Sequence, residues 1–103
     1  MTVITKENFE QEILGSDKLT VLDFWATWCG PCMMLAPIME ELDRELENVK
    51  FCKCNVDEQM ELAMQFRIES IPTLLLIKNG KVVNKLVGFR EKSALIRDIE
   101  DAK

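Results

Sequence analysis

Phe24-Trp25-Ala26-Thr27-Trp28-Cys29-Gly30-Pro31-Cys32 ends an apolar, strand-like run with two cysteines separated by Gly and Pro, and a helix-like pattern follows directly. A Cys-x-x-Cys pair beside a βαβ pattern reads as a redox motif. Leu19 to Ala26 is almost continuously apolar and β-favouring, as in a strand of a parallel sheet buried on both faces. From Met33 to Glu47, Leu35, Ile38, Met39, Leu42 and Leu46 recur at helical spacing, with Pro37 inside as a kink. Val49 to Val56 is the next strand, so Leu19 to Val56 forms one βαβ unit with a right-handed crossover.

The flanking segments extend this unit. Val3-Ile4 reads as a short strand, and Thr5 caps a helix that shares Phe9 and Ile13 on one face and stops at Gly15. Asp57 to Phe66 reads as a short helix with Met60, Ala63 and Met64 on its stripe. Ile71-Pro72-Thr73 leads into the strand Leu74 to Lys78. Asn79-Gly80 is a strong hairpin signal, and Lys81 to Val87 returns antiparallel. Gly88 ends that strand, and Glu91 to Ala102 is a last helix burying Leu95, Ile96 and Ile99. The element order predicts an α/β fold: a mixed central sheet of about five strands flanked by four helices, in one domain over residues 1–103.

Composition narrows the partners. The 103 residues carry 13 basic and 18 acidic side chains, a net charge of −5. No Lys/Arg cluster is present, which argues against nucleic acid and anionic membranes. Four cysteines are too few for a disulfide scaffold, the N-terminus turns polar at once, and the apolar run Ile71 to Ile77 is too short to span a bilayer. A cytoplasmic monomer is expected. No bound cofactor is expected either, because no Gly-rich phosphate cradle exists.

The thiolate is the reactive form of cysteine, so a redox pair needs a thiol pKa pulled towards ambient pH. Cys29 falls where strand gives way to helix, so unpaired N–H groups and the positive end of the helix dipole face its sulfur. Lowering a thiol from about 8.5 to about 7 takes roughly 2 kcal/mol, within reach of such a terminus. Pro31 suits the first helical turn, Gly30 allows the tight turn, and Cys32 reaches back to Cys29. Cys32, further into the helix, is expected to be the more buried and less acidic thiol. Cys29 therefore attacks and Cys32 resolves. The alternative is a structural zinc site, but the chain has no histidine, and Cys52 and Cys54 have poor ligand spacing. Those two read as small buried hydrophobes.

Asp23 lies between Leu22 and Phe24 in a strand read as buried, where a carboxylate is costly and its pKa rises. Lys53, central in the neighbouring strand, is its expected partner.

Trp28-Cys29-Gly30-Pro31-Cys32, preceded by Val21-Leu22-Asp23-Phe24-Trp25-Ala26, resembles the thioredoxin family. Asn55-Val56-Asp57, Ser70-Ile71-Pro72-Thr73, Lys78-Asn79-Gly80 and Val87-Gly88 match further segments, so the resemblance covers essentially the whole chain. It implies the thioredoxin fold, a redox-active Cys29–Cys32 disulfide and general reduction of protein disulfides, with a thioredoxin reductase as electron donor and disulfide-containing proteins as targets. It further implies proton transfer between Asp23 and Cys32, with Lys53 matching the family's pattern.

An apolar rim of Trp28, Val56, Ile71, Pro72, Val87 and Gly88 is implied around the pair, with Gly30 and Pro31 part of the substrate contact. Sequence physics alone favours a trans bond before Pro72, whereas the resemblance implies cis. Ile71 is expected to offer its backbone to an extended substrate. Two departures stand out: Met33 replaces the Lys or Arg that many relatives carry after the second cysteine, and Glu69 adds negative charge near Pro72. Both make the site less positive. The alternatives to a reductase are a disulfide oxidase or isomerase, and a binding subunit that uses the rim without the thiols.

Overall fold

The central strand β2 (Leu19–Trp25) is buried along nearly its whole length in a computed structural model that describes all 103 residues. Its neighbours supply the reason: β3 (Val49–Asn55) pairs with it in parallel on one side and β4 (Thr73–Lys78) antiparallel on the other. The short β1 (Thr2–Val3) adds to β3 in parallel, and β5 (Lys81–Val87) forms the opposite edge, antiparallel to β4. The sheet order is β1-β3-β2-β4-β5, the mixed five-stranded arrangement expected. At the β4–β5 turn Asn79 and Gly80 have φ of 52° and 77°, which lets the hairpin follow the twist of its strands.

Side chains alternate across each strand, so the sheet has two distinct faces. Leu19, Val21, Val49 and Phe51 point to the face covered by α1 (Gly30–Glu45) and α3 (Lys92–Ala102), where they meet Leu35, Met39, Leu42, Leu95 and Ile99. Leu22, Phe24, Cys52 and Cys54 point to the other face, under a π-helical segment (Glu10–Leu14) and α2 (Met60–Gln65), where they meet Ile13 and Leu62. Asp23 and Lys53 continue the first series and are paired in register, so both belong to the α1 side.

Thr5 closes the turn ahead of the π-helical segment, whose own start at Phe9 has no side-chain cap. The Asn8 N–H donates to Thr5 Oγ1 (3.3 Å) and the Thr5 N–H to Asn8 Oδ1 (2.8 Å), a reciprocal pair of bonds. Gly15 ends this segment because a side chain there would meet the Gln11 carbonyl oxygen at 2.6 Å.

Several boundaries move. Helix α1 starts at Gly30, three residues before the periodic apolar pattern, because Pro31 in its first turn needs no N–H bond. The second helix starts at Met60, since Asn55 holds residues 57–59 in a turn: its side chain accepts from the Asp57 N–H (2.9 Å) and its carbonyl from the Gln59 N–H (2.9 Å). The stripe expected on α2 is divided between core and surface. Met60 and Met64 are 65% and 75% exposed, while Leu62 and Ala63 are buried. Phe66 sets this phase, packing its ring 5.5 Å from Phe9 and 6.1 Å from Phe24. Two aromatic contacts and a buried leucine outweigh two flexible thioethers.

Candidate active site

Cys29 is the N-cap of α1, with extended backbone (φ −93°, ψ 110°), and its Sγ accepts the Cys32 N–H at 3.2 Å. That is one of the donors a helix start leaves unpaired, aimed at the Cys29 sulfur. The Cα atoms of Cys29 and Cys32 are 5.2 Å apart and the two sulfurs lie at disulfide distance. Cys32 is 1% exposed and Cys29 only slightly more, the expected order. On the far side, Cys29 Sγ lies 3.7 Å from the Ile71 carbonyl oxygen, which a Cys29 thiol faces as donor.

The Ile71–Pro72 bond is cis and Pro72 is buried. Ser70, Ile71 and Pro72 are held on both flanks: the Thr73 hydroxyl donates to the Ser70 carbonyl (2.6 Å), and the Gly88 N–H donates to the Pro72 carbonyl (2.8 Å). Gly88 has φ of 94°, a conformation suited to glycine. Val87 reaches the same end of the sheet through its pairing with Thr73, and its side chain is exposed.

Trp28 is 69% exposed, yet its Nε1 donates to Asp57 Oδ2 at 2.8 Å, so the indole is fixed while its face stays open. Between it and Ile71 runs an open groove of about 310 Å³, floored by Val56, Ala63 and Ile68 and bordered by Glu69 and Ser70. Gly30 and Pro31 are exposed beside it on the first turn of α1. Asp57 thus holds a position that local sequence does not reveal. Its signal was only a carboxylate just past the end of a strand, and the indole it holds is 29 residues away.

The opposite side of the pair is a smaller, partly enclosed cavity whose mouth carries Met33 and Glu40. Asp23 and Cys32 line one cavity of about 150 Å³ together with Trp25, Met39 and Lys53. Asp23 is 5% exposed and its Oδ1 has no hydrogen-bond partner. Burial pushes this carboxyl up to about 7, and the Lys53 ammonium acts in the opposite direction. Lys53 is not in ion-pair contact with Asp23: no ion pair of the molecule includes either residue. Its ammonium lies 5.4 Å from the Trp25 ring centre, a cation–π contact that gives Trp25 a part beyond packing.

Cys52 and Cys54 sit in the core on the sheet face opposite Asp23, fully buried, and burial pushes both thiols up to about 11. The two cysteine pairs belong to different packing clusters, which removes the basis for a shared four-cysteine zinc site.

A cysteine pair at a helix start, backed by a buried carboxyl and bordered by an open apolar groove, defines a thiol–disulfide oxidoreductase. The chain belongs to the thioredoxin family, whose model matches residues 1–101. It is 49% identical over 98 residues to thioredoxin 2 of Chlorobaculum tepidum, covering 94% of this chain and 90% of that one. Thioredoxin of Rickettsia bellii is 46% identical over 99 residues, 95% and 94% of the two chains. A bifunctional thioredoxin reductase/thioredoxin of Mycobacterium leprae is 43% identical over 99 residues, which are 95% of this chain and 22% of that one.

Proposed function

We propose that this chain is a general protein-disulfide reductase in which Cys29 is the nucleophile and Cys32 the resolving thiol. The observation that carries the reading is the placement of Cys29 Sγ between the Cys32 N–H and the Ile71 carbonyl, at the edge of an open apolar groove. The Cys29 thiolate attacks one sulfur of a substrate disulfide, forming a mixed disulfide and releasing the first substrate thiolate. Cys32 gives its proton to the Asp23 carboxylate and attacks Cys29 Sγ. The second substrate thiolate leaves, and Cys29–Cys32 is the oxidised product.

Asp23, sharing a cavity with Cys32 and titrating near neutrality, is matched to this proton transfer. Lys53 modulates it through its field. Trp28, Gly30, Pro31, Val56, Ile71, Pro72, Val87 and Gly88 form the substrate contact, with Ile71 offering its backbone to an extended segment. An external thioredoxin reductase returns the two electrons, a reading supported by the relative whose name joins the two activities. On this reading the chain is a cytoplasmic electron carrier working as a single-domain monomer; no helix is long and apolar enough to cross a membrane.

The test is turbidity from a two-chain, disulfide-linked protein incubated with this chain and a small dithiol. Precipitation of the freed chain well before the dithiol-only control is the expected result. Equal onset times would rule out the reductase role.

A further inference from the structure

We infer that Glu69 makes this reductase selective for disulfides flanked by a basic residue. The inference rests on the reductase reading above and concerns how the same groove chooses among substrates. Glu69 borders the groove between Trp28 and Ile71, whose other lining side chains are apolar apart from Ser70. Its carboxylate is exposed and engaged in no ion pair of the molecule. No Lys or Arg side chain lines the groove to neutralise it.

The occupant this fits is an extended segment that seats an apolar residue against Val56 and Ile68 and carries Lys or Arg beside its attacked cysteine. A segment with Asp or Glu in that place meets like charge. Because Glu69 is exposed, the effect is that of a surface ion pair: about two- to fivefold between opposite flanking charges, and screened by salt.

The experiment uses the reduced full chain and two disulfide-linked peptides that differ only in having Lys or Glu next to the cysteine. Second-order reduction rates are measured at low and high ionic strength. Each is divided by the rate with a small neutral dithiol, which cancels the intrinsic reactivity of the peptide. The Lys peptide is expected to be favoured about two- to fivefold at low salt. The preference should shrink at high salt and in Glu69→Gln, and should reverse in Glu69→Lys. Equal normalised rates for the native chain at low salt overturn the inference while leaving the reductase reading intact. So does a preference that Glu69→Gln leaves unchanged. Reduction of neither peptide overturns the reductase reading and this inference with it.

Discussion

Asp23 and Cys32 face one cavity of about 150 Å³ from a strand and a helix that pack against each other. A carboxyl with an unpartnered oxygen beside a redox sulfur is a costly arrangement in a core that otherwise buries apolar side chains. Its cost has a definite dependence on pH.

In the unfolded chain the Asp23 carboxyl titrates near its ordinary value of 3.8, and in the folded protein at about 7. Between those values the folded state holds a proton that the unfolded state has lost, so stability falls as pH rises through the window. The full loss is roughly 4 kcal/mol above about pH 7, and it vanishes below about pH 4. Denaturant unfolding of the oxidised protein and of Asp23→Ala should therefore show the variant gaining on the native chain as pH rises. Parallel stability curves would contradict the buried, unpaired carboxyl. In the reductase assay, Asp23→Ala should be slower and should lose the inflection near neutrality.

Replacement of either active cysteine separates the two roles. Cys29→Ser should reduce no disulfide faster than the dithiol control. Cys32→Ser should attack once and then accumulate the mixed disulfide, visible as a covalent adduct by mass spectrometry. An adduct forming through Cys32 in the Cys29→Ser variant would reverse the assignment.

Cys52 and Cys54 should be silent in the folded state. With thiols pushed up to about 11, only about one molecule in a thousand carries a thiolate at either position at pH 8. Alkylation of the reduced native protein should stop at the active pair, and four adducts should appear only on unfolding. A third adduct under native conditions would show that the core face under α2 opens.

The phase of α2 is checked by a contrast. Leu62→Ala, at a buried position on the sheet-facing side of α2, should cost about 2–5 kcal/mol in urea unfolding. Met64→Ala, on the open side of α2, should stay within about 0.5 kcal/mol. A large loss at Met64 would restore the methionine stripe to the core.

The order of elements was legible in the chain because each carries its own local signal. Nearly continuous apolar runs marked β2 and β4, 3.6-residue spacing marked α1 and α3, and Asn79-Gly80 marked the hairpin. Cys29 and Cys32 were legible as a redox pair for the same reason: the spacing that joins them is short, and strand and helix patterns adjoin it. In α2 the local signal was degenerate. Met60-Ala63-Met64 and Leu62-Ala63-Phe66 are both plausible stripes, and only Phe9 and Phe24, brought in from distant segments, decide between them.

The site beyond the cysteines depended on such long-range placement throughout. Sequence physics favoured a trans bond before Pro72, whereas the folded chain holds it cis beside Cys29, with Gly88 and Thr73 bonded to its flanks. Asp57 became the clamp of Trp28, and the Lys53 ammonium lies against the Trp25 ring in the cavity it shares with Asp23. Residue types and periodicity determined which segments would be strands and helices and where thiol chemistry resides. Apart from what the family resemblance implied, the tertiary structure decided which carboxyl shares a cavity with the sulfur, which loop faces it and which side chains remain open to a substrate. Those relationships join residues tens of positions apart, and no local pattern of hydrophobicity or spacing encodes them.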